Sequence, residues 1–170
     1  VFGDLSLSVI DQMPPGRTPV KTTIVPALKR ERAYNQIAKE VDNGRQAYIV
    51  YPLVEESEKS DLQAACSAFE ELSRSVFSEF RVGLLHGQLG TDEKDKIMSA
   101  FNTGDIDILI ATTVIEVGVD VPNATVMLIE HAERFGLAQL HQLRGRVGRG
   151  ADVSSCLLIK SRACSEEGER

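Results

Sequence analysis

The chain alternates short apolar runs with stretches whose apolar residues recur every three or four positions. The apolar runs predict six strands, at 21–26, 46–54, 81–87, 105–112, 124–130 and 153–160. The intervening stretches with helical spacing predict four helices, at 29–43, from 60 onward, at 91–102 and at 136–147. The run at 46–54 is nearly all apolar, which is typical of a strand buried on both faces of a parallel sheet.

Polar residues and glycines indicate where these helices begin and end. Ser60 and Gln63 have the S-x-x-Q spacing of a capping box. Thr91 is a candidate cap for the next helix and is followed by two acids, which stabilise a helix N-terminus. Gly44 and Gly104 follow helical stretches and predict their ends.

Alternating strands and helices predict an α/β fold with a doubly wound, mostly parallel sheet. The first 20 residues include three prolines within DQMPPGRTPV, which excludes a helix or a central strand there. We therefore predict a connector at 1–20 and a single domain at 21–170. In such sheets the ligand-binding residues lie in loops past the carboxyl ends of the strands.

Composition limits the class of protein. The 170 residues are 42% hydrophobic and 26% charged, as in soluble globular domains, and no apolar run approaches the length of a membrane span. The three cysteines show no pairing or ligating pattern, which indicates a reducing compartment and predicts no metal site. The net charge of −6 argues against a non-specific nucleic-acid coat.

The charge is unevenly distributed along the chain. Residues 134–150 carry four arginines and no acid, whereas residues 55–61 carry four acids and one lysine. Within the basic stretch, Arg146 and Arg149 are three apart and would share a helix face, while Arg144 would point elsewhere. Guanidinium groups match phosphate oxygens. A solvated surface is the alternative, and the lack of local acids favours an anion partner.

Two more loops follow predicted strands. Thr112 and Thr113 offer hydroxyl and amide groups for phosphate contacts, and a turn at Gly118 leads to Asp120. The segment 86–90, HGQLG, has the same character. Taken alone, these segments are better explained by a plain βα loop and a structural histidine than by a phosphate site. The chain contains no G-x-x-x-x-G-K-[ST] phosphate loop, so it shows no means of holding a nucleotide alone.

These loops together resemble the second motor domain of superfamily 2 helicases, and within them the RecG-type helicases of branched DNA. The resemblance rests on YPLVEESEKSDLQAA, GLLHGQLGTDEKDKIMSAF, the long stretch from DILIATTVIEVGVDVP to QLRGRVGRG, and DLSLSVIDQMPPGR. It implies a three-layer αβα RecA-like fold of the P-loop NTPase type. The nearest rival family is the transcription-repair coupling factors.

The resemblance also implies a role for individual residues. Gln142, Arg146 and Arg149 fall on helicase motif VI, where the two arginines reach the γ-phosphate of ATP. Gly118 and Asp120 fall on motif V and link nucleotide and strand. Contacts to the DNA backbone are implied for the remaining matched residues, which are His86, Gly87, Gln88, Thr112 and Thr113.

The family further implies partners and setting. Its motor places ATP, with Mg²⁺ held mainly by a first RecA-like domain that bears the Walker motifs, between that domain and this one. We therefore expect an excised domain that is inactive alone. Its expected partners are DNA and the Walker-bearing domain. We expect it to be a monomer and not to bind membranes. A bacterial origin would place it in the cytoplasm, and a plant origin in a chloroplast or mitochondrion. The open alternatives are a coupling-factor-like translocase, a stand-alone phosphate-binding module and a purely structural domain.

Overall fold

One parallel sheet forms the centre of the molecule. The structure, a computed structural model, describes residues 20–52, 58–112, 121, 123–145, 147 and 154–160. The strands in this part of the chain are β1 (Val20–Pro26), β2 (Gln46–Val50), β3 (Val82–Leu85), β4 (Ile108–Ala111), β5 (Ala124–Ile129) and β6 (Ser154–Lys160). They lie in the order β1-β6-β5-β2-β4-β3, and every neighbouring pair is parallel. The predicted parallel sheet is therefore confirmed.

Helices cover both faces of this sheet. The described α-helices are α1 (Arg30–Asp42), α2 (Glu58–Arg74), α3 (Thr91–Thr103) and α4 (Leu137–Arg144), with 3₁₀ turns at Ala27–Lys29 and Ala132–Arg134. α1 and α2 pack on one face, while α3 and α4 pack on the other. This arrangement confirms the predicted αβα layers, and no helix in the described ranges is both long and apolar enough to cross a bilayer.

The core lies on both sides of the central strands. β2, β4 and β5 are buried along their whole length because helices cover both of their faces. On one face Tyr48 meets Phe101 edge to face, with ring centroids 4.9 Å apart. On the other face Tyr34 meets Phe77 at 5.8 Å. Fully burying side chains of this kind stabilises the fold by about 1.5–3 kcal/mol each.

Two predicted helix caps and one predicted helix end differ from the observed ones. Ser60 lies inside α2, so the capping box there is wrong. The N-cap of α3 is Gly90 rather than Thr91, and no side chain caps that helix. α4 ends at Arg144 rather than at 147. Local patterns identify amphipathic stretches, but tertiary contacts decide where each helix begins; Asp61, for example, is buried in the first turn of α2 by a contact described below.

The start of one strand differs from the predicted one, whereas two glycines lie at helix ends as predicted. β4 begins at Ile108 rather than at 105, and the Asp107 side chain before it accepts a hydrogen bond from the Arg81 backbone N–H at 3.0 Å. Gly44 and Gly104 do follow helix ends as predicted, and both have φ near +90°, a conformation that favours glycine. β1 begins at Val20, and the rest of the predicted connector lies outside the described residues.

Candidate functional site

The carboxyl ends of the central strands form one continuous edge. The residues just past β2, β4 and β5 are each held by a backbone hydrogen bond to the neighbouring strand: Tyr51 N–H to Ala111 O at 2.8 Å, Thr112 N–H to Leu85 O at 3.1 Å and Glu130 N–H to Val50 O at 2.8 Å. The bond to Leu85 places Thr112 beside the residue that precedes His86. Two separate segments that the sequence picked out therefore meet at this edge.

The turn after β3 presents its polar groups outward. Gly87 and Gln88 are exposed, and His86 is half-buried. His86 Nδ1 accepts a hydrogen bond from the Gln88 backbone N–H at 3.2 Å, which in the neutral imidazole assigns the proton to Nε2. The turn is thereby braced, and its two exposed residues face solvent.

Thr112 has an unusual environment for a polar residue. Its side chain is fully buried, and its Oγ1 has no hydrogen-bond partner in the described structure. Buried hydroxyl groups normally find a partner, so an unpaired one at a strand end is a sign of a ligand or of a rearrangement. The other residues predicted for this loop, Thr113, Gly118 and Asp120, lie outside the described residues.

α4 carries the start of the predicted arginine motif. Gln142 is exposed on it, while Leu143 is buried against the sheet. Since the helix ends at Arg144, the shared helix face expected for Arg146 and Arg149 does not follow from α4. Both of those arginines lie outside the described residues, so their contacts with phosphate or carboxylate stay a prediction.

Arg144, the last residue of α4, is buried rather than solvated. It is 8% exposed, and its Nε is buried with no hydrogen-bond partner in the described ranges. Burial lowers the pKa of its guanidinium. Burial also raises the pKa of the nearby Cys156 thiol to about 12, so that thiol is not an anionic partner at neutral pH. A buried guanidinium nitrogen without a hydrogen-bond partner is rare and costly.

A charged cluster at the same edge was missed by sequence reasoning. The buried carboxylate of Glu130 accepts hydrogen bonds from Arg30 Nε at 2.8 Å and Nη2 at 2.9 Å. Tyr34 donates its hydroxyl to the same carboxylate at 3.3 Å. The only available signal was an acid at the end of an apolar strand, and its partner lies 100 residues away.

The electrostatics of this cluster are set by burial and by the Glu130 charge. Burial alone would lower the pKa of Arg30, but the hydrogen bond and charge of Glu130 outweigh it and raise that pKa. Burial, reinforced by Glu130, raises the pKa of Tyr34 and of Tyr51 well above the ordinary tyrosine value. The site therefore keeps an ion pair and two neutral phenols.

A second ion pair joins the acidic and basic stretches of the sequence. Arg134 donates from Nη1 and Nη2 to the two carboxylate oxygens of Asp61, at 2.8 and 3.2 Å. The absence of nearby acids in the sequence had favoured an anion partner for this basic stretch. That expectation concerned Arg144, Arg146 and Arg149; Arg134, which precedes them, is bound by a distant carboxylate of the same chain.

A model of the helicase conserved C-terminal domain matches residues 28–151. The chain belongs to this family. As a helicase C-terminal domain it is 53% identical over 169 residues to the ATP-dependent DNA helicase RecG of Thermotoga maritima, covering 99% of this chain and 22% of that protein. It is 52% identical over 159 residues to RecG of Escherichia coli K12, covering 93% and 23%. The chain thus spans about a fifth of the length of these relatives.

Solved structures support the same assignment. The domain matches a structure of RecG bound to a three-way DNA junction with a TM-score of 0.75 and 49% identity, over 94% of this chain and 20% of that one. The Mycobacterium smegmatis helicase Lhr, bound to single-stranded DNA and AMP-PNP, matches with a TM-score of 0.62 over 86% of this chain and 20% of that one. Because this helicase is only 16% identical in sequence, the match supports the assignment of the fold and nothing more. The RecA-like fold and the RecG-type resemblance are both confirmed, and the alternatives are not favoured.

Proposed function

We propose that this domain is the second motor domain of an ATP-dependent DNA helicase of the RecG kind, which remodels branched DNA in recombination and repair. The observation that carries the proposal is the hydrogen bond of Thr112 to Leu85, the residue before the His86–Gln88 turn, which brings the two segments to one edge of the sheet. That edge offers two exposed residues and an unpaired hydroxyl. These are the residues for which the resemblance implies contacts with the DNA backbone.

The nucleotide side of the mechanism depends on the residues that follow α4. ATP lies between this domain and a Walker-bearing domain of the same polypeptide, and Arg146 and Arg149 bind its γ-phosphate from outside the nucleotide's own pocket. During hydrolysis they offset the charge that spreads over the phosphoryl oxygens. Such arginines accelerate hydrolysis by roughly 10³ to 10⁵, which corresponds to about 4–7 kcal/mol of barrier. Gln142, Gly118 and Asp120 complete the contacts to the nucleotide.

Hydrolysis is converted into movement because the attraction depends on the γ-phosphate. While it is present, the two domains close; once it is released, they separate. Thr112, Thr113 and the 86–88 turn move with this domain and grip successive phosphates of one strand. Contacts to the phosphate backbone do not read the base sequence, so movement along the DNA is largely independent of sequence.

Magnesium enters only with the nucleotide. In the part of the chain that the structure describes, no group of three histidines, cysteines or acids could hold a metal ion. Because Mg²⁺ is usually bound by one or two carboxylates together with substrate phosphates, we assign the ion mainly to the Walker-bearing domain and the phosphates. We further propose that the complete protein acts as a monomer in the bacterial cytoplasm, since the relatives named above come from bacteria.

The arginine role can be tested in the complete polypeptide. We expect Arg149→Ala to abolish DNA-stimulated ATP hydrolysis while DNA binding and the melting temperature stay close to wild type. Arg81→Ala is a suitable control, because Arg81 lies at the opposite edge of the sheet. Near-normal turnover by Arg149→Ala would reject the proposal.

A second test concerns the proposal that ATP hydrolysis requires both domains. We expect the 170-residue chain alone to hydrolyse no ATP, with or without DNA, because it has no phosphate-binding loop of the Walker type. The complete polypeptide should unwind forked and four-way junctions faster than linear duplexes of equal length. Turnover by the purified chain, or equal rates on linear and branched DNA, would contradict the respective part of the proposal.

A further inference from the structure

The segment 130–136, which connects β5 to α4, is anchored by one bidentate ion pair near each end. At its start, Glu130 binds Arg30 with N–O distances of 2.8 and 2.9 Å. Near its end, Arg134 binds Asp61 at 2.8 and 3.2 Å. Arg134 is three positions before the first residue of α4, so its position bears directly on where that helix starts.

The two anchors tie the connection to helices on the far side of the sheet. Arg30 belongs to α1 and Asp61 to α2, and both helices pack on one face. α4 packs on the opposite face. The ion pairs therefore fix the point at which the connection crosses the carboxyl edge on its way from β5 to α4.

Backbone contacts leave the connection little freedom between its anchors. His131 has φ 49° and ψ 50°, the left-handed region that residues with a Cβ atom seldom adopt. The Arg134 N–H donates to His131 O at 2.9 Å, and the Phe135 N–H donates to Ala132 O at 3.1 Å. The Gly136 N–H donates to Gln139 Oε1 at 3.0 Å. Because the path is this tightly defined, a shift at Arg134 is transmitted to α4.

We propose that Arg134 and Asp61 are positioning residues for ATP hydrolysis. Their ion pair sets the start of α4, and thereby the place where Gln142 and the arginines that follow the helix meet the nucleotide. Asp61 lies in the first turn of α2, the helix that follows the carboxyl end of β2. The pair thus links the strand-end edge to the nucleotide-binding residues. The inference rests on the proposed function above and adds two residues to it.

The geometry also makes the pair testable. The Asp61 carboxylate is 7% exposed, but the Arg134 side chain is 32% exposed. Water can therefore reach the arginine side, and an Asp61→Asn variant, which keeps the shape and removes the charge, is expected to fold. Arg134→Lys keeps the charge but loses the two-pronged geometry of the guanidinium.

The first experiment measures steady-state ATP hydrolysis by the complete polypeptide at saturating DNA. We expect Arg134→Gln to lower kcat about tenfold or more, because a displacement of 1 Å at a reacting group costs roughly 10²-fold in rate. KM for ATP should stay within about threefold of wild type, since Arg134 does not touch the nucleotide in this account. Arg134→Lys should recover part of the lost kcat.

A double-mutant cycle isolates the pair from other contacts of either residue. If the ion pair is the positioning element, Asp61→Asn combined with Arg134→Gln should lower kcat no further than the worse single variant. The matched control is the Arg81–Asp107 ion pair at the amino edge of the sheet, with an N–O distance of 3.3 Å. Arg81→Gln and Asp107→Asn should leave kcat unchanged.

Several outcomes would overturn the inference. One is an unchanged kcat in Arg134→Gln together with a lower melting temperature, which would make the pair purely structural. Another is a raised KM with unchanged kcat, which would make Arg134 a nucleotide ligand. If Arg134→Gln does not stay folded at the assay temperature, Arg134→Lys and Asp61→Asn decide the question by the same criteria.

Failure of this inference is distinguishable from failure of the proposed function. If Arg149→Ala abolishes hydrolysis while the Arg134 and Asp61 variants retain wild-type kcat, only the positioning role is lost. If the wild-type polypeptide shows no DNA-stimulated hydrolysis, the proposed function itself is lost.

Discussion

Asp61 and Arg134 lie 73 residues apart in the chain and meet through two hydrogen bonds, of 2.8 and 3.2 Å. Asp61 ends the acidic stretch 55–61, and Arg134 begins the basic stretch 134–150. Two segments of opposite charge that are separate in the sequence are thus joined in the fold. The charge of Arg134 is thus balanced within the domain.

Removing the cation of the Arg30–Glu130 pair should destabilise the domain. Replacing Arg30 by methionine leaves the Glu130 carboxylate, 1% exposed, without its cation. Breaking a buried pair on one side costs about 3–5 kcal/mol, so we expect a loss of that size in the free energy of unfolding. Urea denaturation of the 170-residue chain measures it.

The matched control for this measurement is Arg81→Met. Its ion pair with Asp107 is mostly solvent-exposed on the arginine side, at 62%. Exposed pairs contribute at most about 1 kcal/mol. If Arg30→Met and Arg81→Met lower the free energy of unfolding equally, the Glu130 carboxylate is stabilised by groups other than Arg30.

Replacing Arg144 should stabilise the domain, in contrast to replacing Arg30. Its buried Nε has no partner in the described ranges, so the guanidinium loses hydration without full compensation. We expect Arg144→Met to raise the free energy of unfolding of the chain by about 1 kcal/mol, since an unsatisfied buried polar group costs about 1–3 kcal/mol.

The neighbouring Leu143→Ala gives the contrasting case for Arg144→Met. Leu143 is 4% exposed, and truncating a buried leucine costs about 2–5 kcal/mol. If Arg144→Met instead lowers the free energy of unfolding by more than about 1 kcal/mol, the loss is on the scale of a missing buried hydrogen bond. That result would show that the Arg144 guanidinium has an anionic partner outside the described residues.

The sequence was sufficient for the layers of the fold but not for its ion pairs. Apolar runs such as 46–50 and 124–129 predict buried parallel strands because their burial on both faces requires unbroken hydrophobicity. Strand ends then locate His86 and Thr112 at one edge. The partners of Glu130 and Arg134 lie 100 and 73 residues away, and no local pattern indicates them.

The same limit explains the errors at helix ends. Ser60 has the spacing of a capping residue, yet α2 begins two positions earlier, and Asp61 is drawn into its first turn by Arg134. α4 ends at Arg144, which is buried beside β6 rather than solvated on a longer helix. In each case a contact between distant segments overrides the local signal.

Alkaline pH should destabilise the domain through its buried tyrosines. Burial raises the pKa of Tyr51 and Tyr34 in the folded chain above the unfolded value, near 10. Their contribution to stability is therefore complete below pH ~10 and is lost as the pH rises through the folded pKa. Urea midpoints measured at several pH values should fall above pH ~10.

Tyr51→Phe tests the origin of that decline. Phenylalanine cannot ionise, so the variant should lose stability less steeply than wild type above pH ~10. Identical slopes would assign the alkaline decline to other groups.

Thr112 gives the sharpest test of the DNA contact proposed for the carboxyl edge of the sheet, because its hydroxyl has no partner within the described structure. Thr112→Val keeps the shape and removes the hydroxyl, so the stability of the chain should stay the same or rise. In the complete polypeptide, however, affinity for single-stranded DNA should fall about tenfold, since a hydrogen bond to a charged phosphate contributes about 1.5–3 kcal/mol. Thr112→Ser, which retains the hydroxyl, should bind like wild type. Equal affinity of the valine variant and wild type would exclude a phosphate contact from this hydroxyl. A stability loss in the valine variant would instead show that the hydroxyl already has a partner within the protein.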